Sequence, residues 1–160
     1  HLEPLPLMPT AESHVRQGVT TALGGPDGGS PLQIGDYLDS LQTKRIGLNV
    51  AYLIGHNTVR NHVMGLVDRV PTITELDSMK MLIATAMEDG AFGISTGLKY
   101  LPGAYAELDE IVDLSTVAAS QGGIYTSHLR EEGLGLIDAV AEAIDIAEQA
   151  NIRVVLTHHK

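Results

Sequence analysis

Cysteine is absent from this chain, which removes disulfides and any thiolate metal site. That absence fits a reducing compartment, and the expected location is cytoplasmic. Tryptophan is absent too and there is one phenylalanine, so aromatics reach only 4% beside a hydrophobic fraction of 44%. A core drawn from Leu, Ile, Val and Ala, with 17 glycines, suits α/β layers better than a β-sandwich. Positive charge is scarce: 10 Lys and Arg against 20 Asp and Glu give a formal net charge of −10, with no basic cluster. Phosphate neutralisation needs a basic footprint, so no nucleic-acid partner is expected. No apolar run approaches the roughly 18 residues that span a bilayer, so no membrane partner is expected either. The segment from His1 to Pro9 lacks the basic and continuous apolar regions of a signal peptide. The chain opens on His1 and stops at Lys160 directly after a strand pattern, so both ends read as cuts through a longer fold.

What the chain has is alternation. Val19 to Leu23, Ile46 to Ile54, Ala91 to Ser95, Ile124 to Ser127 and Val154 to Leu156 read as five strands. Between them lie helical spacings: Ile34, Tyr37, Leu38 and Leu41; Leu76, Met79, Ile83 and Met87; Leu108, Ile111, Val112 and Ser115; Ile137, Val140, Ala141 and Ile144. Thr72 and Glu75 form a capping box, and Gly90 is a natural helix stop. This pattern predicts an α/β fold with a parallel sheet and crossover helices. Five strands do not close an eight-stranded barrel; they fit an open doubly wound sheet or part of a barrel truncated at both ends. No low-complexity linker divides residues 1–160, which are expected to form one domain.

Groups able to bind metal or move protons recur just past the strands: Asp27 after the first, His56 after the second, His128 after the fourth and His158 after the fifth. In parallel α/β folds active sites assemble along this rim. Asp27, His128 and His158 together offer a hard oxygen and two nitrogens, a set that suits Zn²⁺ in an open catalytic site. His56 either lines the pocket or satisfies loop backbone. Arg130 and Glu131, beside His128, either orient a ligand or pair with each other. The run Gly93-Ile94-Ser95-Thr96-Gly97 matches a serine-hydrolase elbow, but that elbow needs a helix directly after the nucleophile, and Leu98 to Gly103 reads as loop. The glycines are more simply close-packing positions beside a site. The glycine-rich turn from Gly24 to Gly29 lacks a phosphate-binding signature and reads as a tight turn presenting Asp27.

The ordered set Gly18-Val19-Thr20-Thr21, Gly25-Pro26-Asp27-Gly28, Gly55-His56-Asn57-Thr58-Val59-Arg60, Gly93 to Tyr105, Tyr125-Thr126-Ser127-His128-Leu129-Arg130 and Leu156-Thr157-His158-His159-Lys160 resembles the N-acyl-D-amino-acid deacylase (D-aminoacylase) branch of the metal-dependent amidohydrolase superfamily. The resemblance implies a TIM-type (β/α)8 barrel, of which this chain would supply about strands two to six. It implies hydrolysis of the amide of N-acyl amino acids with one or two divalent metal ions, Zn²⁺ foremost. His128 and His158 match metal histidines, and His1 looks like the second member of a His-x-His pair. Asp27 stands where D-aminoacylases carry a metal-ligating cysteine, as it does in an Asp-containing subgroup. Tyr100 and Lys160 match positions lining the substrate pocket, where Lys160 would pair with a substrate carboxylate; His56 and Arg130 join them as candidate substrate contacts.

The mechanism so implied is attack by a metal-activated water, with a carboxylate base that the family places beyond Lys160. No catalytic base is therefore expected within this chain, and the isolated chain is expected to be inactive. Self-association through exposed sheet edges is expected as well. The alternative is a non-catalytic α/β domain that binds a ligand or partner without metal.

Overall fold

The computed structural model describes residues 2–158. In chain order the elements are α1 (Glu12–Val15), β1 (Thr21–Gly24), α2 (Ile34–Thr43), β2 (Asn49–Tyr52), β3 (Ile54–Gly55), α3 (His56–Met64), α4 (Ile73–Glu88), β4 (Gly93–Gly97), α5 (Leu108–Ser120), β5 (Ile124–His128), α6 (Leu136–Gln149) and β6 (Arg153–Leu156). A short 3-10 turn, Gly103–Tyr105, precedes α5. Every strand pairing is parallel: β1 with β2, then β3–β4–β5–β6 side by side. The fold is α/β with parallel sheets of alternating strand and helix, as the alternation predicts. Among the described residues no helix is long and apolar enough to cross a membrane.

The single strand expected over Ile46 to Ile54 is instead two short strands hinged at Leu53. Leu53 still donates its N–H to Gly24 at 2.9 Å, extending the β1 ladder, while the Tyr52 carbonyl accepts from Phe92 at 2.7 Å on the opposite side. The chain changes partners there, and these bonds join the two sheets. Central and outer strands differ in cover. All five residues of β4 and four of five in β5 are buried, as parallel strands sandwiched by helices should be. The outer strands β1 and β6 are half-open, with Leu23 40% and Val155 49% exposed.

Helices cover the sheet with apolar faces. Met79, Ile83 and Met87 of α4 are buried with Ile111, Leu114 and Ala118 of α5 around Ile54, Ile94 and Tyr125. The capping box holds: Thr72 Oγ1 accepts the Glu75 N–H at 3.3 Å and Glu75 accepts the Thr72 N–H at 2.7 Å. Helix α6 spans the residues whose spacing marks it. Its buried face is Ala139, Ala143, Ile146 and Ala147, whereas Ile137 is 77% exposed and Ile144 43%.

Candidate metal centre

The site begins with a strained turn. Beyond β1 the backbone is left-handed at Gly25, Asp27 and Gly28, with φ of 75°, 58° and 78°. A residue with a side chain rarely adopts this conformation, and Asp is among those that tolerate it best. Ser95 clamps the turn from β4: its hydroxyl donates to the Gly25 carbonyl at 2.5 Å and accepts the Gly28 N–H at 3.1 Å. The Thr58 N–H, in the first turn of α3, donates to the Gly28 carbonyl at 3.1 Å. That uses a helix N-terminal donor that has no partner within the helix. Two glycines are demanded by closeness. A Cβ on Gly28 would lie 2.1 Å from Asn57 Oδ1, and one on Gly97 would lie 2.1 Å from the Asp27 carbonyl. Asn57 in turn accepts the Gly97 N–H at 3.2 Å and donates to the Gly97 and Tyr100 carbonyls at 3.1 and 3.2 Å.

His128 closes β5 in register with Gly97 and is 2% exposed. Its Nδ1 lies 3.6 Å from Asp27 Oδ1 and 3.5 Å from the hydroxyl of Tyr100, whose ring centroid is 4.6 Å away. His158 follows β6, and its ring stands edge-on to His128 at 4.3 Å. Thr157 fixes that segment, donating from both its N–H (3.1 Å) and its hydroxyl (3.0 Å) to the Ser127 carbonyl. One ligand atom each from Asp27, His128 and His158 fall within 4.8 Å of one another. Bonds of about 2.0–2.1 Å around tetrahedral zinc put ligand atoms about 3.4 Å apart. The Asp27–His128 separation, 3.6 Å, already matches, and the widest pair in the set needs to close by at most about 1.4 Å. One carboxylate and two imidazoles are a zinc-compatible donor set, so these residues fit a metal ion.

Glu132, which sequence reasoning did not single out, is also here. Its carboxylate lies 2.5 Å from His158 Nδ1 and 3.6 Å from His128 Nε2. Neighbouring Glu131 accepts the N–H groups of Glu132 and Gly133 at 2.9 and 2.8 Å and pairs with Lys99 at 3.1 Å. Those bonds, Gly133 foremost and then Lys99, hold the Glu131 carboxyl below its ordinary range.

Other candidates are placed elsewhere. His56 begins α3 instead of lying in a loop, is fully buried, and donates from Nε2 to Glu110 at 2.7 Å. Arg130 pairs with Glu142 at 2.7 Å and donates to the Ala104 and Ala106 carbonyls, so it pairs with α6 and not with Glu131. Neither belongs to the Asp27–His128–His158 group. Ser95, 0% exposed, donates to a backbone carbonyl and not to a base, and no helix starts directly after β4, so the serine-hydrolase elbow is not formed. His1, His159 and Lys160 lie outside the described residues.

No protein-family model matches the chain. It is 39% identical over 125 residues to a D-aminoacylase from Alcaligenes xylosoxydans xylosoxydans, covering 78% of this chain and 26% of that protein. Solved structures of D-aminoacylase, described as defining a novel subset of amidohydrolases and as having a binuclear metal centre, superpose with TM-scores of 0.91 and 0.92 at 31% identity. They cover 98% of this chain and 38% of theirs. A crystal structure of N-acyl-D-glutamate deacylase from Bordetella bronchiseptica, complexed with zinc and a phosphonate mimic of the tetrahedral intermediate, superposes with a TM-score of 0.92 at 30% identity, over 99% of this chain and 38% of that one. The chain thus spans about a quarter of the curated relative's length and belongs to the D-aminoacylase (N-acyl-D-amino-acid deacylase) family of amidohydrolases.

Proposed function

We propose that this chain is the metal-bearing part of a deacylase that hydrolyses the amide bond of N-acyl amino acids, and that it contributes about strands two to six of a TIM-type barrel. The observation that carries this reading is the convergence of Asp27, His128 and His158 from three strand ends, beside the half-exposed ring of Tyr100. A divalent metal bound there would supply Lewis-acid polarisation of the amide carbonyl and an acidified water. The chain's own residues do the rest of what falls to this segment. Asp27 brings a negative charge that helps retain a cation, and the buried His128 keeps one side of the site dry. Tyr100, half-exposed with its hydroxyl 3.5 Å from His128 Nδ1, would stand beside a bound substrate. By resemblance, His1 adds a further metal ligand and Lys160 pairs with the substrate carboxylate. His56 and Arg130 serve the frame, since their polar atoms are engaged with Glu110 and with Glu142.

The test is an assay of N-acetylated D- and L-amino acids with the longer protein carrying this segment, before and after chelation, and with Asp27→Ala. The expected result is deacylation that is lost on metal removal and in the variant, with none from the 160-residue chain alone. Hydrolysis indifferent to both chelation and Asp27 would contradict the reading.

A further inference from the structure

Building on the metal site just proposed, we propose that Glu132 is a positioning residue shared by the two metal histidines. Its carboxylate faces Nε2 of His128 and Nδ1 of His158, which favours a proton on each of those nitrogens and leaves the opposite nitrogen of each ring for the ion. Three observations converge on it. First, the two oxygens are divided between the rings: Oε1 lies 2.5 Å from His158 Nδ1 and Oε2 lies 3.6 Å from His128 Nε2. Second, His128 Nε2, His158 Nδ1 and Glu132 Oε1 are all shielded from solvent, where a polar atom needs a protein partner because water is excluded. Third, the opposite nitrogen of His128, Nδ1, is the one that faces Asp27, at 3.6 Å.

The chemistry follows from the two tautomers of neutral imidazole. A ring can donate a lone pair to a metal from one nitrogen only while its proton sits on the other. Left alone, each ring would divide its proton between the two positions. A carboxylate fixed against the outer nitrogen holds the proton there and raises the basicity of the inner one. Here one carboxylate does this for two rings on adjacent strands, which also fixes their mutual edge-on packing at 4.3 Å. The support behind it is built as well. Glu131 gathers the N–H groups of Glu132 and Gly133 and is itself tied to Lys99. The turn that carries Glu132 is thereby anchored to the loop after β4.

The experiment uses the full 160-residue chain as wild type, Glu132→Gln and Glu132→Ala. Zinc dissociation constants are read by competition with a chromogenic chelator, and ring tautomers of His128 and His158 by ¹H–¹⁵N correlation in the zinc-free chain. The expectation is one tautomer per ring in wild type, Nε2–H for His128 and Nδ1–H for His158. The alanine variant should show mixed tautomers and bind zinc about 10–100-fold more weakly, the usual loss when an outer carboxylate is removed. The isosteric glutamine variant keeps acceptor oxygen for one ring and should fall between, with an unchanged circular dichroism spectrum. Tautomers unaltered in Glu132→Ala, or zinc affinity unaltered there, would overturn the assignment. A wild-type chain that takes up no zinc would sink the metal reading instead, and the tautomer comparison would still judge Glu132.

Discussion

Ser95 and Gly25, 70 residues apart, are joined by a 2.5 Å hydrogen bond from a hydroxyl to a carbonyl. That bond ties the middle of β4 to the turn that presents Asp27, and the same hydroxyl accepts the Gly28 N–H. Ser95→Ala therefore leaves a donor and an acceptor without a partner, at a cost of about 1–3 kcal/mol each at most. We expect lower stability in urea titration together with weaker zinc binding, because the left-handed Asp27 loses its clamp. A serine-directed covalent probe should leave Ser95 unlabelled.

Arg60 is fully buried, with Nε 3.1 Å from Glu110 and its remaining donors on the Val67, Arg69 and Pro102 carbonyls. Removing the carboxylate strands a buried guanidinium and also frees the His56 ring. Glu110→Ala should lose about 3–5 kcal/mol, the range for breaking a buried ion pair from one side. Denaturant unfolding measures this directly. A loss below about 1 kcal/mol would mean that Arg60 is served by its carbonyls alone.

Glu75 gives a pH signature. Hydrogen bonds from Arg69 above all, then from Thr72, lower its carboxyl from 4.5 to about 2. The unfolded chain holds that proton more tightly, so the stabilisation is fully present above pH 4.5 and fades as pH falls toward 2. Glu75→Gln should therefore have a lower melting temperature than wild type at pH 7, with the gap closing across that window. A gap independent of pH would assign the effect to shape and not to charge.

The outer strands predict association. Among the described residues β1 and β6 stand at the ends of the strand order, and Ile137, Ile144 and Val155 are exposed apolar side chains of α6 and β6. Unpaired edges beside exposed apolar side chains invite pairing with another chain. Sedimentation of the 160-residue chain should show concentration-dependent self-association, weakened by Val155→Lys. A monomer at all concentrations would argue against it.

Strand ends were legible in the sequence because they lie where apolar runs stop, and Asp27, His128 and His158 were found that way. The residues that orient them were not. Glu132 sits in a turn four residues past His128, where strand alternation no longer tells which way a side chain faces. Its nearer neighbours Arg130 and Glu131, the charged pair beside His128 in the sequence, turn to Glu142 and Lys99. Asn57 and Ser95 act on backbone from distant parts of the chain, a role without a local pattern. The hinge at Leu53 was hidden for a similar reason, since an apolar run continues unbroken while its hydrogen-bond partners change. In α6 the helical spacing marks the helix, while its buried face is Ala139, Ala143, Ile146 and Ala147.

Asp27, His128 and His158 should together hold a metal ion. Elemental analysis of the extensively dialysed chain, beside His128→Ala/His158→Ala, addresses this directly. We predict zinc close to one per chain in wild type and background levels in the double variant. No zinc in wild type, or as much in the variant, would contradict the central claim.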